Sequence, residues 1–284
     1  MAGVLKTIGV VGAGQIGTGM ALLVSATARL PVKLVDLQEE QLSRAHMHME
    51  RWLQRQSSSG LDPYEVLSRI SVSLHLADLH SADFVLEAVT ESFPVKAQIL
   101  RDLSELCRTE SVFATTTMSF PISKLAAGTS APERVIGMNF FNHPTVVRIV
   151  EIIPGLQTSQ ATLQTAINVA EMLGKSSTIS KDRPGFIANR VMCAYINEGI
   201  NSLSEGVGSK EDIDAAVKEA LRAKLGPLEL ADYIGLDVLL DCLKSYHRET
   251  GDDRYRPSPL LANFVNAGWL GRKSGRGFYS YDSR

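Results

Sequence analysis

The chain has 284 residues, 44% hydrophobic and 21% charged, so it can bury a core without disulfides. Its formal net charge is −2 and no basic block stands out, which argues against nucleic acid and anionic membranes as partners. Three scattered cysteines without metal-binding spacing predict a reducing compartment and no metal site. No apolar run approaches a membrane span, so we expect a cytoplasmic protein, unless an organellar signal has been removed.

The first part of the chain alternates short apolar runs with stretches of helical composition. Helices are predicted over 16–30, 39–56 and 161–173, and a polar break over 57–63. This alternation predicts an open parallel sheet with helices on both faces. The predicted strands are 6–11, 32–35, 70–73, 84–88, 112–115, 135–138, 150–153 and 177–180.

Beyond residue 183 the pattern becomes helical throughout. The stretch Lys181-Asp182-Arg183-Pro184-Gly185 is the predicted boundary, which gives an α/β domain over 1–183 and an all-α domain over 184–284. The predicted helices of the second domain are 186–205, 210–221, 227–246 and 258–267.

A glycine-rich turn follows the first predicted strand and opens the first helix. Its residues fit the G-x-G-x-x-G fingerprint of a Rossmann-like domain, in which backbone N–H groups at a helix start bind a pyrophosphate. The first glycine allows the tight turn, the second lets the backbone approach the phosphates, and the third permits close packing of helix on strand. These candidate cofactor-binding residues are Gly12, Ala13, Gly14, Gln15, Ile16 and Gly17.

Asp36 ends the second predicted strand, about 20 residues after the glycine turn, where such domains place a ribose-binding acid. A carboxylate there accepts hydrogen bonds from the ribose 2′-hydroxyl and repels a 2′-phosphate. The sequence therefore predicts NAD rather than NADP as the cofactor.

Further motifs follow in one order along the chain. They include Glu87-Ala88-Val89-Thr90-Glu91, then Gly137-Met138-Asn139-Phe140-Phe141-Asn142, then Asp182-Arg183-Pro184-Gly185-Phe186. With the glycine turn, they resemble the 3-hydroxyacyl-CoA dehydrogenase family from about Lys6 to the Gly277-Phe278-Tyr279 tail.

The resemblance implies oxidation of the 3-hydroxyl of an acyl-CoA by NAD, or the reverse, in fatty acid metabolism, by a homodimer formed through the helical domain. In this family a histidine takes the hydroxyl proton, a glutamate orients the histidine, and an asparagine helps to hold the substrate. The glutamate matches Glu151 and the asparagine matches Asn189. The positions expected near the cofactor are Glu91, Lys96, Thr116 and Lys273.

The sequence departs from the family pattern at the positions of catalytic and substrate-binding residues. The family motif H-F-F-N-P stands here as Asn139-Phe140-Phe141-Asn142-His143, so the catalytic histidine aligns with Asn139. An amide cannot accept a proton at neutral pH. A substrate-holding serine falls on Met118, whose thioether is at best a weak acceptor.

Three explanations of this departure stay open. In the first explanation, His143, which lies four residues after Asn139 in a predicted loop, takes the role of the family histidine. Alternatively, a rebuilt relay serves a different substrate, with Glu151 or a water as the base. In the third explanation the chain binds NAD but has lost efficient chemistry. As candidate catalytic residues we therefore take Glu151, Asn139, Asn189 and His143.

The acyl carrier is open as well. CoA is the expected carrier, with an acyl-carrier protein or no carrier as alternatives. Arg44, Arg51 and Arg55 could meet a phosphate, although a solvated helix face is the favoured interpretation. The leading hypothesis is NAD-dependent interconversion of a 3-hydroxyacyl thioester and its 3-oxo form. The alternatives are a non-catalytic NAD-binding protein and a dehydrogenase of a non-CoA hydroxy acid.

Overall fold

The computed structural model describes residues 5–56, 60–141 and 143–281, so Asn142 and residues 57–59 lie outside it. The chain divides into two compact units, Met1–Arg183 and Pro184–Arg284. Within the described residues no helix is long and apolar enough to cross a membrane.

The first unit contains one sheet in the order β3-β2-β1-β4-β5-β6-β7-β8. Neighbouring strands pair in parallel, except for β6 and β7, which are antiparallel. The strands are β1 (Ile8–Val11), β2 (Val32–Val35), β3 (Ile70–Ser73), β4 (Phe84–Glu87), β5 (Val112–Thr115), β6 (Val135–Phe140), β7 (Ile149–Pro154) and β8 (Ser176–Ile179).

Helices cover both faces of this sheet, as predicted. The all-buried strands β1, β4 and β5 require this, because parallel strands place apolar side chains on both faces. The helices are α1 (Gln15–Ala26), α2 (Glu39–Arg55), α3 (Pro63–Ser68), α4 (Phe93–Leu106), α5 (Ile122–Ala126) and α6 (Gln160–Met172).

The main core of the first unit lies between the sheet and helices α1, α2 and α6. Val10 of β1 and Leu34 of β2 are completely buried in it. On α2, Met49 is buried while Met47 is 46% exposed. A helix buries only one stripe of its surface, and residues two apart face different directions.

The second unit is all-helical among its described residues, which confirms the predicted class. The helices are α7 (Ala188–Ser204), α8 (Lys210–Leu221), α9 (Pro227–Ile234), α10 (Leu236–Thr250) and α11 (Pro259–Asn266). The carboxylates of Asp214 and Asp232 organise it: Asp214 accepts the N–H groups at the start of α9, and Asp232 accepts those of Phe278 and Tyr279 in the C-terminal tail.

The structure differs from the predicted elements in three details. The sheet is mostly rather than wholly parallel, because the connection from Phe140 to Ile149 is too short for a crossover. The predicted helix 227–246 is two helices, since Gly235 with a φ of +105° ends α9. A helix also begins at Pro63, at the end of the predicted polar break, because the Asp62 carboxylate accepts the N–H of Tyr64 and caps it.

Candidate active site

The glycine turn lies between β1 and α1 at the carboxyl end of the sheet, where β1 is flanked by β2 and β4. Gly12 has a φ of +101°, and a Cβ there would lie 2.6 Å from the Ala88 carbonyl oxygen. A Cβ on Gly17 would collide with the carbonyl oxygen of Gly12. Both positions therefore require glycine, because the segment after β4 packs closely on the turn at Gly12 and α1 packs closely on it at Gly17.

Gly14 faces open space instead of neighbouring backbone. It is the N-cap residue of α1 and provides no side-chain cap, and α1 has no acidic residue in its first turn. No described atom lies within 4 Å of the position that its Cβ would occupy. The turn thus leaves open space in front of a helix N-terminus, whose N–H groups favour an anion.

Asp36 lies beside this turn, as the fingerprint predicts. Its Oδ2 accepts the N–H of Ala13 over 2.8 Å, and its Oδ1 accepts the N–H of Gln38 over 3.0 Å. The carboxylate is therefore held at the end of β2 next to the open space at Gly14. The glycine turn, the bare helix start and this carboxylate together fit an NAD molecule.

Lys96, which lies on α4, is completely buried. Its Nζ lies 3.0 and 3.2 Å from the two carboxylate oxygens of Glu87 at the end of β4. It also donates to the carbonyl oxygens of Val89, over 3.2 Å, and Thr116, over 2.6 Å. Lys96 thus joins the ends of β4 and β5, and β4 is a direct neighbour of β1.

Glu87 is the partner that sequence reasoning did not assign. Besides Lys96, it accepts the hydroxyl of Thr115 over 2.5 Å and the N–H of Val89 over 2.7 Å. Burial raises the pKa of Glu87, while the charge of Lys96 acts in the opposite direction. The sequence signal that could have identified Glu87 was its position, an acidic residue at the end of an otherwise apolar strand.

Glu91 organises the loop after β5. One of its oxygens, Oε1, accepts the hydroxyl of Thr117 over 2.6 Å, the N–H of Met118 over 3.0 Å and the hydroxyl of Ser119 over 2.8 Å. Its other oxygen lies 3.8 Å from the Nζ of Lys96. The structure therefore brings three predicted cofactor-side residues, Glu91, Lys96 and Thr116, into one connected cluster.

Asn139 and Glu151 are direct partners in the antiparallel register of β6 and β7. Opposite residues in such a pair point to the same face of the sheet, and the Nδ2 of Asn139 donates to the Oε2 of Glu151 over 2.9 Å. The two side chains are 3% and 2% exposed. The sheet thus buries an amide against a carboxylate.

His143 is turned toward the cofactor turn. Its Nδ1 and Nε2 lie 3.0 and 3.2 Å from the Nε2 of Gln15 at the start of α1. The His143 backbone has a φ of +62°, a left-handed conformation that is uncommon outside glycine. The structure therefore places His143 beside Gln15.

Asn189 and Lys273 belong to the second unit. Asn189 lies in the first turn of α7 and is 5% exposed, and its Nδ2 has no hydrogen-bond partner among the described residues. Lys273 donates to the Oδ2 of Asp237 over 2.6 Å. A buried donor without a partner costs about 1–3 kcal/mol, which is a reason to expect a ligand at Asn189.

Among the described residues, no group of three or more His, Cys, Asp or Glu side chains could hold a metal ion.

Two family models cover nearly the whole chain. Residues 7–183 match the NAD binding domain of 3-hydroxyacyl-CoA dehydrogenase, and residues 185–281 match the C-terminal domain of the same enzyme.

Individual relatives agree with the family models. The chain is 40% identical to a probable 3-hydroxybutyryl-CoA dehydrogenase of Bacillus subtilis over 99% of each protein. It is 34% identical to the mitochondrial hydroxyacyl-coenzyme A dehydrogenase of Sus scrofa over 98% of this chain and 91% of that protein. The crystal structure of (S)-3-hydroxybutyryl-CoA dehydrogenase from Ralstonia eutropha matches with a TM-score of 0.95 and 38% identity, covering 98% of this chain and all of that one.

Proposed function

Because the chain belongs to the 3-hydroxyacyl-CoA dehydrogenase family and is an NAD-dependent oxidoreductase, we propose that it interconverts a 3-hydroxyacyl-CoA and its 3-oxo form, with Glu151 exchanging the proton. The relatives named 3-hydroxybutyryl-CoA dehydrogenases make a four-carbon acyl group the first substrate to test. The Asn139–Glu151 contact carries the proposal.

The oxidation of an alcohol removes a hydride and a proton. NAD, when bound, accepts the hydride. The chain must supply a group that holds the proton, and the amide of Asn139 cannot do so at neutral pH. The Glu151 carboxylate can accept it, and Asn139 orients this carboxylate by donating to Oε2 over 2.9 Å. Asn139 is thus a positioning residue, while Glu151 is the proposed catalytic residue.

The position of His143 supports this assignment over the alternative in which His143 replaces the family histidine. Its imidazole is next to Gln15 at the glycine turn, at 3.0 Å, whereas Glu151 is next to Asn139. The buried Asn189 amide, with an Nδ2 that has no partner among the described residues, supports a retained substrate site over lost function.

The test is oxidation of NADH with acetoacetyl-CoA, followed by absorbance. We expect wild-type turnover, and a loss of about 10²–10⁴-fold in kcat for Glu151→Gln, because the amide cannot carry the proton. NADH affinity should not change in this variant. The matched control is Glu171→Gln, an exposed glutamate on α6, which should keep wild-type kcat.

Two outcomes would contradict the proposal. If Glu151→Gln keeps its kcat while a His143 variant loses it at saturating NADH, His143 is the proton acceptor. If wild type binds NADH but reduces no 3-oxoacyl substrate, the chain is a non-catalytic family member. Acetoacetate and an acyl-carrier-protein thioester, tested beside the CoA thioester, distinguish the three possible carriers.

We also propose that the protein acts as a cytoplasmic homodimer that associates through residues 184–284, with Asn189 from these residues helping to hold the substrate. Large apolar side chains remain exposed on this unit, including Val191 at 67%, Val207 at 73% and Leu221 at 64%. Sedimentation velocity at micromolar concentration should give the mass of a dimer, and a single monomeric species would contradict the proposal.

A further inference from the structure

The loop after β6 is fixed against the first turns of α1. Val146 and Val147 donate their N–H groups to the carbonyl oxygen of His143, over 2.8 and 3.1 Å, which closes a compact turn. The buried Nζ of Lys175 donates to the carbonyl oxygens of Pro144 and Val147. The turn therefore has a defined position that does not depend on the side chain of His143.

The same turn packs directly on α1. A Cβ on Gly19 of α1 would lie 3.0 Å from the Cδ of Pro144, so the proline ring lies on the bare backbone at Gly19. Gly19 is one helical turn beyond Gln15, the first residue of α1. This packing brings His143, next to Pro144, over the N-terminus of the helix.

His143 adopts a conformation that costs energy. A left-handed φ of +62° is unfavourable for a residue with a Cβ by about 1–2 kcal/mol, and such strain concentrates at functional sites. The imidazole is exposed and its ring nitrogens lie 3.0 and 3.2 Å from the amide nitrogen of Gln15.

The contact with Gln15 determines how the ring nitrogens of His143 can take part in further hydrogen bonds. The Gln15 Nε2 is a donor only and contacts both ring nitrogens, so one of them accepts its hydrogen bond. In a neutral imidazole the other ring nitrogen carries the proton, and Gln15 Nε2 cannot accept that proton. The side chain is thus left with an N–H donor beside the α1 N-terminus. A phosphate oxygen is the acceptor that this helix end favours.

We propose that His143 is an additional cofactor-binding residue, whose imidazole donates to the pyrophosphate of NAD, oriented by Gln15. The proposal rests on NAD binding at the glycine turn and does not depend on Glu151 as the proton acceptor. It also accounts for a histidine at a position where the family has proline.

The test measures binding of two ligands, NADH and ADP-ribose, by calorimetry. Two variants remove the imidazole and keep the turn, because glycine and asparagine both tolerate a left-handed φ: His143→Gly and His143→Asn. We expect each variant to bind both ligands on the order of tenfold more weakly, as for a lost hydrogen bond to a charged group. His48→Asn, on the exposed face of α2, is the matched control and should bind as wild type.

Four results would overturn the proposal. If the variants bind ADP-ribose as wild type does but NADH more weakly, the imidazole contacts the nicotinamide half and not the pyrophosphate. If only His143→Gly is impaired, the effect comes from a more flexible turn. If wild type binds neither ligand, the cofactor site itself is wrong. At saturating NADH the variants should keep the wild-type KM for acetoacetyl-CoA, and normal NADH binding together with a raised KM would equally contradict the assignment.

Discussion

Two buried carboxylates, Glu87 on β4 and Glu151 on β7, lie at the same sheet and have different partners. Glu87 contacts a lysine Nζ at 3.0 Å, a threonine hydroxyl at 2.5 Å and a backbone N–H at 2.7 Å. Glu151 accepts a hydrogen bond from the neutral amide of Asn139. The charge of Lys96 acts directly on the carboxylate of Glu87, whereas Asn139 contributes a neutral donor to Glu151.

We propose that Glu87 is a structural carboxylate and Glu151 a reactive one. The Glu87–Lys96 pair connects two strand ends and α4, and breaking it should mainly change stability. The Asn139–Glu151 pair is proposed to act on the substrate, and changing it should mainly change turnover. Three substitutions test whether this division holds.

Lys96→Met should have the largest effect on stability. It leaves the buried Glu87 without its cation, which costs about 3–5 kcal/mol of unfolding free energy. Urea unfolding measures this loss. Combining Lys96→Met with Glu87→Gln removes the unpaired charge and should recover much of the stability.

The exposed Lys244 provides a matched control, since Lys244→Met should change stability by no more than about 0.5 kcal/mol. If Lys96→Met behaves like this control, the Glu87–Lys96 pair does not stabilise the fold, and the distinction between the two carboxylates fails.

Asn139→Leu tests the other pair. The substitution removes the donor to Glu151 while keeping the approximate volume, so we expect a loss of about 1–3 kcal/mol in stability together with a lower kcat. A double-mutant cycle with Glu151→Gln should give a coupling of about 1.5–3 kcal/mol, the usual range for a hydrogen bond to a charged group. Additive effects would mean that Asn139 does not position Glu151.

Local sequence predicted the glycine turn well because its chemistry is done by backbone. Gly17 is required by contact with the Gly12 carbonyl oxygen and Gly12 by its positive φ, while Gly14 faces the open space in front of α1. These features are local to one βα unit, so a motif of six residues contains them. The ends of β2, β3 and β5 followed from short apolar runs for the same reason.

Pairings between distant residues were not predictable in this way. The contact of His143 with Gln15 joins residues 128 positions apart, and the Glu87–Lys96 pair depends on how α4 packs on the sheet. The antiparallel direction of β7 was available from the sequence, because eight residues between Phe140 and Ile149 cannot hold a crossover helix. For the direction of β7, the length of the preceding loop was therefore a stronger signal than the periodicity of the strand.

Of the three substitutions, Ser119→Ala should have the smallest effect on stability. It tests whether burial explains why Glu87 depends on its partners. Ser119 donates its hydroxyl to the Oε1 of Glu91 over 2.8 Å, yet Glu91 is 31% exposed in its side chain and the same oxygen has further donors. Water and these donors replace the lost hydrogen bond, so unfolding in urea should shift by less than about 0.5 kcal/mol. A loss above about 1.5 kcal/mol would mean that an exposed carboxylate depends on a single donor as strongly as a buried one, and burial would then no longer explain why Glu87 requires Lys96.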